Sequence, residues 1–333
     1  MSETTSATGA AIDIEQFVDE HHKAVLDFLP ADLMDLSDIP TGRERLAALG
    51  DAIPAPPLPD SVTMEVIDVP GHGADDPPVA LRLYKPAAHA GAGASTAALY
   101  WIHGGGMVMG DAEMSDGECA RWADMFDVVV ASVDYRLAPE HPYPAAINDC
   151  LAGLAWFSAS AAELGVSPER IVIGGASAGG GLAACLALKA RDESGPAIHA
   201  QLLVYPMLDD RNQTASSHAI QDQRVWNRAA NHSGWNAYLP DAAGSDGVSP
   251  YAAAARATDL AGLPQAYINV GTMDMFHDED VAYAQALHQA RVPVELHTYP
   301  GAFHASNKFC EGSDLSNRWT ADEDAFLARV LAD

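Results

Sequence analysis

The chain is predicted to form an α/β domain, with a mostly parallel β-sheet and helices on both faces. Three observations predict it. Eight short apolar or alternating runs recur along the chain, and helix-forming stretches separate most of them. That alternation builds a parallel sheet. Gly175-Ala-Ser-Ala-Gly179 lies between one such run, Ile171–Ile173, and a helix-forming stretch, Gly180–Ala190. This is the setting of a sharp strand-to-helix turn that lifts a serine above the sheet edge. Finally, 333 residues, 48% of them hydrophobic, suffice for one large domain with an added covering segment.

Taken in order, Met1–Ala11 is rich in Ser, Thr and Ala and reads as frayed. Asp13–Leu36 carries Ile14, Phe17, Val18, Val25, Leu26, Phe28 and Leu29 near helical spacing. Ile53–Pro59 is proline-rich and reads as a linker. Met64–Val69 and Val79–Tyr84 read as antiparallel edge strands around a turn region, Gly71–Asp76. Ala97–Ile102, Val128–Asp134, Ile171–Gly174, Ala200–Tyr205, Gln265–Val270 and Val294–Tyr299 complete eight strands. Helices are expected at Glu113–Phe126, Ala145–Ser160, Gly180–Arg191 and Glu279–Gln289. One insertion breaks the rhythm. No strand is expected between Tyr205 and Gln265, where Trp226, His232, Trp235, Asn236 and Tyr238 cluster. A long connection leaving the C-terminal edge of a strand lies over that edge, and long loops there are commonly lids. Its aromatic residues either line a pocket or pack the covering segment onto the body.

The chemistry follows from strand ends. His103-Gly-Gly-Gly106 comes directly after Ala97–Ile102. A glycine run there offers backbone N–H groups, free of side chains, to a developing oxyanion. Alone, this run and the serine motif are each a weak signal. An alcohol is a poor nucleophile, however, and needs a base that is itself oriented. Downstream of Ser177, Asp274 follows the run Gln265–Val270, and His304 follows Val294–Tyr299. Residues past the C-terminal ends of parallel strands converge on one edge of the sheet. Ser177 is therefore the candidate nucleophile, His304 the base and Asp274 the acid that orients it. Asp278 is the rival acid. A carboxylate in the first turn of a helix has a structural reason to exist, which favours Asp274.

Five pieces now carry a close resemblance. They are His103–Gly106, Asp134-Tyr-Arg-Leu-Ala-Pro-Glu-His-Pro-Tyr-Pro144, Gly175–Gly179, Asp274-Met-Phe-His-Asp-Glu279 and Gly301-Ala-Phe-His304. From about residue 60 to the C-terminus the chain resembles bacterial carboxylesterases of the hormone-sensitive-lipase-like family of α/β-hydrolases. The block from Asp134 to Pro144 is long and specific to that family. Two positions depart from the common pattern: Ala176, where Asp or Thr usually precedes the serine, and Met107, where an aromatic residue is common.

The resemblance implies an α/β-hydrolase fold with an eight-stranded sheet and a helical cap. Residues 1–50 and an insertion at about 207–250 would form the cap, and 51–333 the catalytic domain. It implies cofactor-free hydrolysis of carboxylic esters of short or medium acyl length, through an acyl-enzyme. Gly105, Gly106 and Ala178 would be the oxyanion donors. His103 would hold the shape of its loop. Asp134, Arg136, Glu140 and His141 would belong to the scaffold. Met107, Met207, Trp226, Trp235 and Phe28 are candidate pocket residues. A homodimer is expected. Lactone, carbonate or amide hydrolysis would use the same machinery, and a non-catalytic receptor or a lyase on this fold are the readings from other classes.

Charge narrows the partners. With 18 Lys and Arg against 46 Asp and Glu, the net charge is −28, which disfavours nucleic acid and anionic membranes. Cys119, Cys150, Cys185 and Cys310 form no Cys-x-x-Cys pair, so no metal site is expected; Cys150 and Cys185, in helix-like apolar stretches, are expected to be buried thiols. No apolar run reaches membrane-spanning length, and a cytoplasmic protein is expected.

Overall fold

A computed structural model describes residues 10–52, 57–87, 89 and 95–332. The first nine residues of Met1–Ala11 and residues 53–56 of the expected linker lie outside the described residues. The elements run α1 Glu20–Leu26, α2 Ile39–Ala52, β1 Val62–Val69, β2 Val79–Pro86, β3 Thr96–Ile102, α3 Asp116–Phe126, β4 Val129–Asp134, α4 Ala145–Ala159, α5 Ala161–Leu164 and β5 Val166–Ala176. They continue with α6 Ala178–Asp192, β6 Ala200–Val204, α7 Ala215–Ala219, α8 Arg228–Tyr238, β7 Gln265–Met273, α9 His277–Gln289, β8 Val294–Phe303, α10 Ser306–Phe309 and α11 Asp314–Ala332.

One eight-stranded sheet has the order β1-β2-β4-β3-β5-β6-β7-β8. β2 is antiparallel to both β1 and β4, and every other pairing is parallel. Side chains alternate across the sheet, so each central strand feeds two cores. On one face Ala98, Tyr100, Ile102, Ile171, Ile173 and Leu203 pack with Ile147 and Leu154 of α4 and Leu182 of α6. On the other, Leu99, Trp101, Val172 and Leu202 pack with Trp122 of α3 and with Trp319, Phe326 and Val330 of α11. The four cysteines are free and buried.

The N-terminal segment differs from the expected single helix over Asp13–Leu36. It forms a short 3-10 turn at Ile14–Gln16, then α1, then turns. Asp19 restarts the helix by accepting the N–H of His21, an N-cap that breaks continuity. Ile14, Val18, Leu26, Leu29, Leu33 and Leu36 are all buried, so the apolar spacing records burial by separate short turns. Helix α11 had no counterpart in the expected elements, and α2 was expected only as part of a helical segment over residues 1–50. α11 supplies much of one face of the core, and its Trp319, Phe326, Leu327 and Val330 lie at helical spacing.

Between β6 and β7 the chain makes α7, α8 and a 3-10 turn, Ala254–Arg256, with no strand. The N-terminal segment packs on this connection and on the end of β8. Ile12 N–H donates to Ala219 O, Met34 N–H to Gln223 O, and Asp19 N–H to Gly301 O.

Candidate active site

The site begins at the end of β5. Ser177 is the N-cap of α6 with φ 57 and ψ −120, a backbone conformation that stores strain in any residue with a Cβ. The surrounding main chain holds it there. Its N–H donates to Val204 O at 2.8 Å, and its carbonyl accepts from Gly181 N–H at 3.0 Å and Met207 N–H at 2.9 Å. Gly179 permits the tight approach of this turn to β3. A Cβ there would lie 2.0 Å from Ile102 O and 2.4 Å from His103 O.

Ser177 Oγ–H donates to His304 Nε2 at 3.0 Å. His304 Nδ1–H donates to Asp274 Oδ2 at 2.7 Å. The other carboxylate oxygen, Oδ1, accepts from Phe276 N–H at 3.0 Å. Ser177 and His304 each retain slight exposure, whereas Asp274 is fully buried. The three residues come from the ends of β5, β7 and β8; His304 lies 127 positions after Ser177 and 30 after Asp274 along the chain. Asp278 stays apart. Its Oδ2 accepts from Ser216 N–H at 2.8 Å, and its own N–H donates to Ser216 Oγ at 3.1 Å. Burial pushes its carboxyl up, but the Ser216 N–H and His277 outweigh that and hold it below its ordinary range.

The glycine loop after β3 faces this chain of hydrogen bonds. Gly105 and Gly106 have φ of 109 and 62, values open to glycine. A Cβ on Gly104 would lie 2.9 Å from Ala176 O and 3.4 Å from Ser177 Cβ, which places the loop against the serine turn. Ala178 follows Ser177 in the first turn of α6, with its N–H among those that a helix leaves free. His103 stacks on Tyr135 at 4.2 Å and donates Nδ1–H to the Gly104 carbonyl at 2.8 Å. Burial lowers its pKa, so it is a neutral prop for the loop. Tyr135 OH donates to His103 O at 3.0 Å. Arg136 holds the buried Asp149 with paired bonds of 2.7–3.1 Å. The block that carried much of the resemblance thus braces the glycine loop.

Two further residues position the site and were not given roles from the sequence. Arg43 of α2 donates Nε–H to Val108 O at 2.6 Å, and NH2 to Ala138 O at 2.9 Å. It also pairs with Glu140 at 2.7 Å. Glu279 of α9 accepts from Leu208 N–H at 2.8 Å and Asp209 N–H at 3.2 Å. It thereby ties the segment after β6, which touches Ser177, to the helix that follows Asp274. Glu279 ends the stretch Asp274–Glu279 that carries part of the resemblance, so a signal was present. A lone arginine in the N-terminal region gives none.

Of the candidate pocket residues, Trp226 comes to the site: its ring centre lies 6.3 Å from that of His304. Met207 reaches it through its backbone, and Met107, buried in the glycine loop with φ 62, accepts from Ala138 N–H at 2.9 Å. Trp235 is buried beside Tyr238 with ring centres 6.1 Å apart, and packs α8 onto the body. Phe28 is a correction. Its side chain is 88% exposed, because Leu26 and Leu29 take the inward positions of that turn and leave Phe28 pointing to solvent. Among the described residues no group of His, Cys, Asp and Glu could hold a metal ion, and no helix is long and apolar enough to cross a membrane.

Comparisons with known proteins agree with this architecture. A family described as the alpha/beta hydrolase fold matches residues 99–307. The chain is 38% identical to Esterase LipI of Mycobacterium tuberculosis, over 84% of this chain and 85% of that protein. It is 35% identical to Carboxylesterase NlhH of the same species, over 92% of each chain. The solved structure of a bacterial heroin esterase superposes with a TM-score of 0.90 at 40% identity, covering 96% of this chain and 99% of that one. The chain therefore belongs to the α/β-hydrolase fold family and, within it, to the hormone-sensitive-lipase-like group.

Proposed function

We propose that the protein is a serine carboxylesterase that works through Ser177, His304 and Asp274 and an acyl-enzyme. The observation that carries this reading is the continuous chain of hydrogen bonds from Ser177 Oγ through His304 to Asp274 Oδ2. Relatives named as esterases support it. His304, holding its proton on Nδ1 against Asp274, presents the Nε2 lone pair to Ser177. It takes the hydroxyl proton as Oγ attacks the ester carbonyl. The N–H groups of Gly105, Gly106 and Ala178 receive the oxyanion, each such donor being worth about 10²–10³ in turnover. His304 then protonates the departing alkoxide. Water, deprotonated by the same Nε2, attacks the acyl-enzyme and frees the acid. The N-terminal segment and the connection between β6 and β7 form a cap over this edge and set the size of substrate admitted. Small esters of short to medium acyl chains fit this reading.

A fluorinated phosphonate and a p-nitrophenyl ester series test it together. Stoichiometric labelling of Ser177, with hydrolysis abolished in Ser177→Ala, is expected. Labelling elsewhere, or an active alanine variant, overturns it.

A further inference from the structure

Trp226 occupies an unusual place beside the reacting groups. A Cβ added to Gly106 would lie 2.1 Å from its Cη2 and 2.8 Å from its Cζ2. The indole thus rests on the bare Cα of a residue in the glycine loop, while its ring centre is 6.3 Å from the His304 imidazole. One rigid plate spans from the glycine loop to the base.

Its position is fixed twice. Asn227, the next residue, is the N-cap of α8 and accepts from Ala229 N–H at 2.9 Å and Ala230 N–H at 3.1 Å. That pins the backbone at the foot of the indole. Farther along, Trp226 Nε1–H donates to Asn231 Oδ1 at 3.1 Å, and both residues are buried. Gly234, one turn beyond Asn231, lets α8 close on the loop: a Cβ there would lie 3.0 Å from Gly106 O and 3.6 Å from Trp226 Cζ2.

Geometry decides which part of a substrate meets this plate. Around a carbon bonded to Ser177 Oγ, the oxyanion turns to the glycine loop. The leaving oxygen must come within hydrogen-bond reach of His304 Nε2 to collect its proton. The acyl chain takes the remaining direction, away from the imidazole. A plate bordering both Gly106 and His304 therefore borders the sector between oxyanion and leaving oxygen.

We propose that Trp226, positioned by Asn231, is the wall that limits the alcohol half of the ester and leaves the acyl half unrestricted. This rests on the esterase reading above. Esters of primary, unbranched alcohols pass under the indole, and branched or cyclic alcohols collide with it. Asn231 acts only through Trp226 and is a positioning residue.

The test uses the full chain and two matched series. One varies the alcohol at fixed acetyl: ethyl, isopropyl and cyclohexyl acetates. The other varies the acyl group at fixed ethanol: ethyl acetate, butanoate and hexanoate. Trp226→Ala should raise the cyclohexyl-to-ethyl ratio of kcat/KM by about tenfold or more, the scale set by one hydrophobic contact. The hexanoate-to-acetate ratio should move far less. Trp226→Phe and Asn231→Ala should shift the alcohol ratio in the same direction by smaller factors, and they decide the matter if the alanine variant does not fold. Active-site titration with a phosphonate counts competent Ser177 in every variant. If the acyl ratio moves as much as the alcohol ratio, or neither moves in fully titrated variants, the proposal is overturned. Wild-type protein that the phosphonate leaves unlabelled at Ser177 overturns the esterase reading and the proposal with it.

Discussion

Replacing Asp274 by asparagine separates orientation of the histidine from mere packing. The two carboxylate oxygens have different tasks: Oδ1 accepts from Phe276 N–H at 3.0 Å and Oδ2 from His304 Nδ1–H at 2.7 Å. An asparagine of the same shape has one acceptor and one donor. Phe276 N–H can only donate, so the amide oxygen stays on it and the NH2 turns to His304. That group requires Nδ1 to become the acceptor, which moves the ring proton to Nε2. The imidazole then faces Ser177 Oγ with a donor where a lone pair is needed, and no base remains. A comparable wrong-tautomer substitution in another serine hydrolase lowers kcat by about 10⁴, roughly 5 kcal/mol at 1.36 kcal/mol per decade.

Asp278→Asn supplies the control. It keeps an oxygen for Ser216 N–H and loses a charge at the start of α9. That change is worth about 0.3–1 kcal/mol of stability and should leave kcat within about twofold. The assay is steady-state hydrolysis of a p-nitrophenyl ester by both variants, with melting temperatures and phosphonate titration alongside. Asp274→Asn retaining more than a tenth of wild-type kcat, or Asp278→Asn falling as far, would refute the assignment.

Ser177→Ala should fold and lose about 10⁶ in turnover, read by the same ester assay. Glu323 of α11 accepts from Asn269 Nδ2–H at 2.8 Å, and burial pushes its carboxyl from the ordinary 4.5 up to about 7, with Lys308 pulling it down. A raised acid stabilises the fold fully below its unfolded pKa, and that contribution is lost as pH rises through the folded value. Glu323→Gln should therefore match the wild type in Tm near pH 4.5 and exceed it above about pH 7. Parallel Tm curves across this window would show that Glu323 is not the titrating group. Deleting residues 1–36 removes six buried apolar side chains, Ile14, Val18, Leu26, Leu29, Leu33 and Leu36, each worth about 1.5–3 kcal/mol of burial before chain entropy is subtracted. The truncated protein should melt lower and discriminate less between acyl lengths. An unchanged acyl profile in a folded truncation would place the N-terminal segment outside the pocket.

The legible and illegible parts divide on physical lines. Strand ends were legible because apolar runs stop where the chain turns, and Ser177, Asp274 and His304 all lie just past such stops. The antiparallel pairing of β1 and β2 was legible from the turn chemistry between them, but only β1 is the edge strand expected, because β2 pairs on its other side with β4. What escaped depends on partners distant in sequence. Arg43 acquires its task from Val108 and Glu140, and nothing around residue 43 announces that meeting. His22, whose Nε2 meets Ser313 Oγ at 3.0 Å, gave no local sign that the N-terminal segment would dock beside α11. Phe28 misled because spacing alone does not say which of Leu26, Phe28 and Leu29 turns inward. In the connection after β6, composition marked Trp226 and Trp235 alike. Only the bare Cα of Gly106 separates the one that reaches His304 from the one that packs α8.

The close approach of the serine turn to the glycine loop has a consequence for engineering. The separation between Ser177 and that loop is set by main chain against main chain, at Gly179 against Ile102 and His103 and at Gly104 against Ala176. No rotamer can lengthen or shorten it. A mutational search for new selectivity can therefore vary the exposed side chains of the N-terminal segment while that separation stays constant. Libraries that randomise residues 104, 175 or 179 would instead drive a Cβ into main chain at the serine turn and should yield mostly inactive proteins.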